Sequence, residues 1–328
     1  MVEIGFHASH EQFPPSRLLA LLRLAEEAGF DCAKSSDHFH PWSERQGQSG
    51  FAWSWLGSAM QATRFPIGMI SAPSYRYHPA ILAQAAATVG EMYEGRLWLA
   101  LGSGEAINES ITGEAWPDKP ERNARLLECV EIIRRLMTGE TVTHRGRVTV
   151  VEAKLYSRPR IEVPLFGAAV SAATAKLAGG WADGILLAGH KADDLARLFD
   201  AFNDSGGDGK PIHAQMAVSW APSIEQARRN AVDQWGSASI GGEAAWDLRR
   251  PRDFDQASRF VTATDLRDTV LITDSMGEIA ERIEQISALG ASAVHLHMVG
   301  RAQEEFREAA AKANLVRVSG PALARSCS

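Results

Sequence analysis

The 328-residue sequence is poor in cysteine, has no long apolar run and has no concentration of positive charge. Its three cysteines, Cys32, Cys129 and Cys327, are odd in number and far apart, which is typical of a reducing compartment and not of a disulfide framework. The net charge of -6 and the absence of basic runs longer than two residues argue against nucleic acid as a partner, because phosphate binding needs clustered Lys and Arg.

Segments that would direct the chain to or through a membrane are missing as well. The apolar run 97–101 is only strand-sized, and residues 1–7 contain no basic region followed by a long apolar one. We therefore expect a cytoplasmic protein without a membrane partner.

Two absent motifs limit the fold and the reaction. No Gly-x-Gly-x-x-Gly turn follows the first predicted strand, which disfavours a doubly wound dinucleotide-binding sheet. No Gly-x-Ser-x-Gly elbow is present, which disfavours a serine hydrolase.

The sequence does contain a regular alternation of short apolar runs with amphipathic ones, which is typical of βα units around a parallel sheet. Eight such units occur, and the amino-acid composition does not change along the chain in a way that would mark a second domain. This predicts a single (β/α)8 TIM-barrel domain over residues 1–328, with an insertion over 236–272. The predicted barrel strands cover residues 2–6, 30–35, 67–72, 96–101, 164–168, 184–188, 213–220 and 293–298.

In such a barrel the carboxyl ends of the strands meet on one face, where active sites form. The second strand leads into Asp37, His38 and Trp42, a group of polar side chains that would be costly to bury without partners. Other polar or small residues at strand ends are His7, Ser103, Glu105, Asn108, residues 167–171, Lys191, His295 and His297. This set has imidazoles and carboxylates but few cations, so it suits proton transfer beside an aromatic ligand better than phosphoryl transfer.

Two loops are candidate ligand contacts, and each has a simpler alternative. Ser103 and Gly104 lie where backbone N–H groups can approach a phosphate or a ring edge, but glycine after a strand is also an ordinary turn. Ser171 lies at the predicted start of a helix, where it either seats an anion or only caps the helix.

The motif His-x-His occurs twice, at His38/His40 and His295/His297, and leaves a metal-dependent hydrolase as an alternative. No supporting set of carboxylates accompanies these pairs. We therefore predict no metal site.

Three segments occur in a characteristic order: Ser36-Asp-His-Phe39 with Pro41-Trp42, then Tyr75-Arg-Tyr-His-Pro-Ala80, then Gly102-Ser-Gly-Glu-Ala-Ile-Asn-Glu109. Together they resemble the luciferase-like superfamily of flavin-dependent oxidoreductases, nearest to its branch of F420-dependent glucose-6-phosphate dehydrogenases. The resemblance extends over nearly the whole chain. It implies a (β/α)8 barrel enzyme in which a flavin or deazaflavin exchanges a hydride with an organic substrate.

The resemblance also implies roles for individual residues. Asp37 would hydrogen-bond the flavin ring, His38 would act as a neutral base beside Trp42, and Glu105 would complete the proton transfer with Asn108 next to it. Further cofactor contacts are expected from Ile70, Ser71, Ser103, Gly104, Ala168, Ala169, Val170 and Ser171, and substrate contacts from His7, Lys191 and His297. A strained non-prolyl cis peptide is expected within residues 70–72.

The sequence departs from the sugar-phosphate branch at two places. Lys191 matches one basic residue that holds the substrate phosphate there, but residues 236–272 contain no counterpart of the others, which puts glucose 6-phosphate in doubt. Val170-Ser171 replaces a Gly-Gly turn and resembles the phosphate seat of FMN-using relatives.

We therefore expect FMN as the cofactor, with F420 as the alternative, and a homodimer. If the reaction is an FMN-dependent monooxygenation, a separate flavin reductase would be a partner. A flavin-binding protein without turnover is the remaining alternative.

Overall fold

The structure, a computed structural model, describes residues 2–73, 75–242 and 244–316. Within them the strands are β1 (Glu3–Ala8), β2 (Cys32–Ser36), β3 (Ile67–Ser71), β4 (Leu97–Leu101), β5 (Val142–Arg145), β6 (Thr149–Ala153), β7 (Leu165–Ala169), β8 (Gly184–Ala188), β9 (Ile212–Trp220), β10 (Leu271–Thr273) and β11 (Ala293–Met298).

Eight of these strands close into a parallel barrel in the order β11-β1-β2-β3-β4-β7-β8-β9. Closure is complete because β9 pairs with both β8 and β11. The short strand β10 pairs with the last residues of β9, and β5 and β6 form a separate antiparallel hairpin. The predicted (β/α)8 barrel is confirmed.

The helices surround the barrel or lie in its connections. They are α1 (Pro15–Ala28), α2 (Ala52–Ala62), α3 (Pro79–Met92), α4 (Ala106–Glu109), α5 (Lys119–Met137), α6 (Ala172–Gly179), α7 (Ala192–Phe202), α8 (Ile224–Trp235), α9 (Ala244–Asp247), α10 (Pro251–Ala257), α11 (Met276–Ala288) and α12 (Gln303–Lys312). Among the described residues, none of these helices is both long and apolar enough to cross a lipid bilayer.

The main apolar core fills the space between the barrel and its helices. Leu22 of α1, Leu56 of α2 and Ile133 of α5 are fully buried there. The cysteines Cys32 and Cys129 are buried free thiols, and Cys327 lies outside the described residues.

The segment predicted as an insertion breaks the βα rhythm. It contains α9, α10 and two 3₁₀ turns, Gly236–Ser239 and Ala263–Leu266, and it ends at β10. Because barrel loops at the carboxyl ends of strands form the mouth, this segment can contribute side chains to a site there.

The inside of the barrel is packed with aromatic rings. Trp98 of β4 meets His213 edge-on with ring centroids 4.8 Å apart, and it lies 5.0 Å from Phe166 and 5.7 Å from His295. His295 Nε2 lies 3.4 Å from His213 Nδ1. Burial, and then the charge of Lys34, lowers the pKa of His213 to about 4.

Two glycines make room for these rings. A Cβ atom at Gly5 would lie 2.1 Å from His295 Nδ1, and one at Gly68 would lie 2.1 Å from Trp98 Cζ2. The large side chain of one strand therefore occupies the space left by glycine on its neighbour, since β1 pairs with β11 and β3 pairs with β4.

Replacing His213 by Gln should make the fold less sensitive to acid. The unfolded chain takes up a proton on His213 below about pH 6.5, whereas the folded chain does so only near pH 4, so the residue costs stability progressively as the pH falls through this window. Between pH 6.5 and 5 the wild-type chain should lose roughly 1–2 kcal/mol more than His213→Gln. Chemical unfolding at both pH values measures this, and equal losses would contradict it.

Candidate active site

The mouth of the barrel contains an imidazole between two carboxylates. His38 follows β2, and its Nδ1 lies 2.8 Å from Glu11 Oε1 in the loop after β1. Its Nε2 faces Glu105 Oε2 at 3.8 Å. The contact with Glu11 is an ion pair rather than an aligned hydrogen bond. The His38 side chain is only 14% exposed, so these charges act on each other with little screening by water.

The carboxylates determine the protonation state of His38. Burial alone would lower the pKa of the imidazole, but the charge of Glu11, its contact with the ring and the charge of Glu105 outweigh burial and raise the pKa of His38 to about 9. The imidazole is therefore protonated at neutral pH. The expectation of a neutral His38 is wrong for this arrangement, because it took no account of Glu11.

The two acids beside His38 differ in their own protonation. Burial would raise the pKa of Glu11, but the adjacent imidazolium of His38 holds it well below its usual range. Burial raises the pKa of Glu105, and the charge of Glu11 adds to this. Two carboxyl groups whose pKa values are shifted in opposite directions can take different roles in proton transfer.

Asn108 holds the loops after β2 and β4 together. Its Oδ1 accepts the backbone N–H of Phe39 at 2.9 Å and that of His40 at 3.4 Å, and its Nδ2 donates to Glu105 Oε2 at 2.9 Å. The same amide therefore fixes the chain after His38 and the carboxylate that faces it.

Asp37 is fully surrounded by donors. Ser71 Oγ donates to its Oδ2 at 2.9 Å, and Tyr77 Oη donates to its Oδ1 at 3.3 Å. Arg76 donates to the Asp37 carbonyl at 2.7 Å and to Oδ1 at 3.3 Å. The Arg76 backbone N–H also donates to Glu109 Oε2 at 2.7 Å, so Arg76 links two buried carboxylates.

Aromatic side chains line one side of the mouth. Trp42 packs edge-on against His38, with centroids 5.3 Å apart, and against Phe254 of α10, also at 5.3 Å. Trp235, the last residue of α8, packs edge-on against His297 at 4.4 Å. The inserted segment therefore supports the site wall through Phe254, which is buried behind Trp42.

Below this level lies a group of buried basic side chains. His7 and His297 have ring centroids 3.9 Å apart, and Lys34 Nζ lies 2.6 Å from His7 Nδ1 and also donates to Gln215. Burial lowers the pKa of His7 and of Lys34 well below their usual ranges, and that of His297 to about 3. Burial therefore disfavours the protonated form of each of these groups.

On the other side of the mouth the strand ends are less polar. Ile70 of β3 and Ala168 of β7 pack on the inner layer formed by Trp98 and Phe166. Val170 is 57% exposed. Apolar surface beside the polar edge of Asp37 and Asn108 is the combination that a planar heteroaromatic ring requires.

The remaining predicted site residues fall into three places. Ser103 and Gly104 follow β4, and Ser103 is bonded to Lys119 of α5 at 2.8 Å. Ala169 is buried in β7, and Ser171 caps α6 by accepting the Thr174 N–H at 3.3 Å. Lys191 is ion-paired with Asp268, so its charge is already balanced within the protein.

The predicted cis peptide is not found. No peptide bond among the described residues is cis. Ser71 is the last residue of β3 and pairs with Leu101, and its carbonyl accepts the Gly102 N–H at 3.2 Å. The strand ladder therefore holds this part of the chain extended and trans.

The histidines of the two His-x-His motifs do not converge. His40 Nδ1 contacts the Ile107 carbonyl at 2.7 Å, whereas His295 contacts His213. Within the described part of the chain, no three His, Cys, Asp or Glu side chains form a group suited to a metal ion. The geometry does not favour the metal-dependent hydrolase.

The side chains of this site that were missed from the sequence include Glu11, Arg76 and Phe254. Glu11 could have been found from its place four residues after His7, in the loop that adjoins the one carrying His38. Arg76 lies within a recognised motif but received no role. No local signal marks Phe254, because the insertion that carries it has no repeating pattern.

A closed parallel barrel with acid–base groups gathered at its mouth defines a (β/α)8 barrel enzyme. Residues 1–293 match the family model described as luciferase-like monooxygenase, and the chain belongs to this family. The predicted class, a flavin- or deazaflavin-dependent oxidoreductase, is confirmed.

Curated relatives and a solved structure agree with this assignment. The F420-dependent glucose-6-phosphate dehydrogenase of Segniliparus rotundus is 34% identical over 321 residues, which are 94% of this chain and 95% of that protein. The enzyme of the same name from Mycobacterium tuberculosis is 32% identical over 320 residues, with 94% and 95% covered. An F420-dependent secondary alcohol dehydrogenase, solved with an F420-acetone adduct, superposes with a TM-score of 0.87 at 29% identity, covering 98% of this chain and 100% of that one.

Replacing Arg76 by Met should destabilise the fold strongly. The variant would leave Asp37 and Glu109 buried without their shared cation, and removing one partner of a buried ion pair costs about 3–5 kcal/mol. The control is Arg160→Met, because Arg160 is 91% exposed and its ion pair with Glu94 should contribute at most about 0.5 kcal/mol. Chemical denaturation measures both, and similar small losses would show that Arg76 does not balance these acids.

Proposed function

We propose that the chain catalyses hydride transfer between F420 and a small uncharged alcohol or its carbonyl product. Support for F420 over FMN comes from the relatives at 32–34% identity and from the alcohol dehydrogenase at 29%, all named as F420-dependent. The FMN expected from Val170-Ser171 has no comparable support. Two monooxygenases among the structural neighbours are 21% and 13% identical, which is a likeness of fold alone.

The side chains at the mouth fit such a cofactor. Asp37, Ser71 and Asn108 form a polar edge that is hydrogen-bonded within the protein, and Ile70 and Ala168 contribute apolar surface beside it. These residues would hold the ring system. When bound, the deazaflavin supplies or accepts the hydride.

The observation that carries the proposal is the position of His38 between Glu11 and Glu105. An imidazolium with a pKa of about 9 is a proton donor at neutral pH, and its Nε2 is the nitrogen not engaged by Glu11. Reduction of a carbonyl needs such a donor at the oxygen, and oxidation of an alcohol needs the same nitrogen deprotonated. Glu11 holds the ring in place and stabilises its charge.

The wall of the mouth favours an uncharged substrate. Trp42 and Trp235 offer aromatic surface near His38 and His297, and Phe254 supports Trp42 from behind. Lys191, the residue that matches a phosphate contact in the sugar-phosphate branch, is balanced by Asp268. A sugar phosphate would have to displace that pair, whereas a small alcohol would not.

The assembly and the partners remain predictions. A homodimer through barrel helices is the expected state, and light scattering of the purified chain tests it. A flavin reductase would be needed only for an FMN-dependent monooxygenation, so an F420-dependent reaction would proceed without one.

Titrating the protein with F420 and FMN in parallel should show tighter binding of F420. Trp42 packs on His38, so its fluorescence should report a ring bound at the mouth. Tighter binding of FMN would overturn the choice of cofactor. Binding of F420 without oxidation of 2-propanol or of other small alcohols would favour a carrier protein over an enzyme.

Replacing Glu11 by Gln should shift the pH profile of alcohol oxidation. In the wild-type enzyme kcat/KM for oxidation should rise with pH until His38 loses its proton near pH 9. Without the Glu11 charge, the pKa of His38 falls and the rising limb should move to lower pH. The matched control is Glu44→Gln, which replaces an exposed glutamate of the neighbouring loop and should leave the pH profile in place.

The variant His38→Ala should still bind F420 but should lose most of its turnover, by roughly 10²–10⁴-fold. If the rising limb of the pH profile does not shift in Glu11→Gln, or if His38→Ala retains its turnover, this pair has no role in the mechanism.

A further inference from the structure

A lysine of α5 reaches the loop after β4, which the function above uses for the cofactor. Lys119 is the first residue of α5, and its Nζ donates to Ser103 Oγ at 2.8 Å. Ser103 is only 8% exposed, so this hydroxyl is nearly inaccessible to bulk water.

The hydroxyl of Ser103 has a proton to give. It accepts the bond from Lys119, and among the described residues no protein acceptor takes its own hydrogen. A hydroxyl that accepts from an ammonium group donates best to an anion on its other side.

Among the described residues, the ammonium group of Lys119 has no carboxylate in direct contact, and the more distant charge of Glu105 only partly offsets its burial. In the described part of the chain no carboxylate oxygen lies within 4 Å of its Nζ, in contrast to Arg76 and Lys191, which both have carboxylate partners. Lys119 is half-buried, and burial, followed by the charge of Arg122, lowers its pKa. A partly dehydrated cation beside a second cation gains most from an anionic ligand.

The position in the barrel agrees with a ligand phosphate. Leu101 of β4 pairs with Gly167 of β7, so the loop that carries Ser103 adjoins residues 168–171 and the start of α6. The first-turn N–H groups of a helix have no partner within the helix and favour negative charge. The strand order therefore places Ser103, which Lys119 contacts, on the loop next to this turn at the mouth.

We propose that Lys119 and Ser103 bind the phosphate group of the cofactor. The inference rests on the proposed function, but it does not depend on which cofactor is used, because FMN carries a phosphomonoester and F420 a phosphodiester, and both are anions. Lys119 takes the charge of the phosphate, and Ser103 donates its free proton to a phosphate oxygen.

The test compares cofactors with and without phosphate. Dissociation constants of Lys119→Met and of the wild-type chain are measured by tryptophan fluorescence for F420, for its deazaflavin chromophore with the ribityl chain but no phosphate, and for the pair FMN and riboflavin. We expect Lys119→Met to weaken binding of the phosphate-containing forms about ten- to hundredfold and to leave the phosphate-free forms unchanged. Lys119→Arg should retain most of the affinity.

Lys210→Met is the matched control. Lys210 is also half-buried and also donates to a single neutral oxygen, the Gly179 carbonyl at 3.2 Å, but it lies just before the start of β9, at the opposite end of the barrel. This variant should change none of the affinities. Circular dichroism and thermal unfolding of all variants verify that they fold.

Equal weakening of phosphorylated and phosphate-free forms by Lys119→Met, or no weakening of either, would overturn the assignment of Lys119 while leaving the proposed function intact. Failure of the wild-type chain to bind any of the four compounds would instead overturn the proposed function, and this inference with it.

Discussion

The ion pair between His38 and Glu11 is the interaction on which the site depends. Both side chains are largely buried, and a charge buried alone is costly, so each is tolerated only because the other lies beside it. The pair exists because β1 and β2 are neighbours in the barrel, with His7 opposite Lys34 and Ala8 opposite Ser35. The loops that follow these strands therefore lie side by side. The loop after β1 supplies the carboxylate of Glu11, and the loop after β2 supplies the imidazole of His38.

The direction in which the pKa of a basic side chain is shifted depends on its depth in the barrel. Deep in the barrel, burial lowers the pKa of His7, Lys34 and His295 well below their usual ranges, and the charge of Glu11 opposes this only in part at Lys34. At the mouth, His38 gains charge because two carboxylates face it. The imidazole group therefore has a lowered pKa at His7 and His295 in the interior and a raised pKa at His38 at the mouth, where two carboxylates face it.

Much of the site could be predicted from the sequence because strand ends are marked locally. Asp37, His38 and Glu105 follow short apolar runs, and parallel strands in a barrel must bring such ends together. Which end faces which is not a local property. The pairing of His38 with Glu11 and of Lys191 with Asp268 depends on side-chain geometry across elements. The prediction of a neutral His38 was wrong for this reason. The prediction of a cis peptide was wrong because strand pairing at Ser71 keeps the chain extended.

The glycines inside the barrel have a consequence for how this chain can change. Gly68 and Trp98 divide a fixed volume between two strands, and so do Gly5 and His295. A larger residue at either glycine can be accommodated only if its partner shrinks at the same time. Relatives that differ at one position of such a pair should therefore differ at the other, and redesign of the barrel interior has to treat the two strands as one unit.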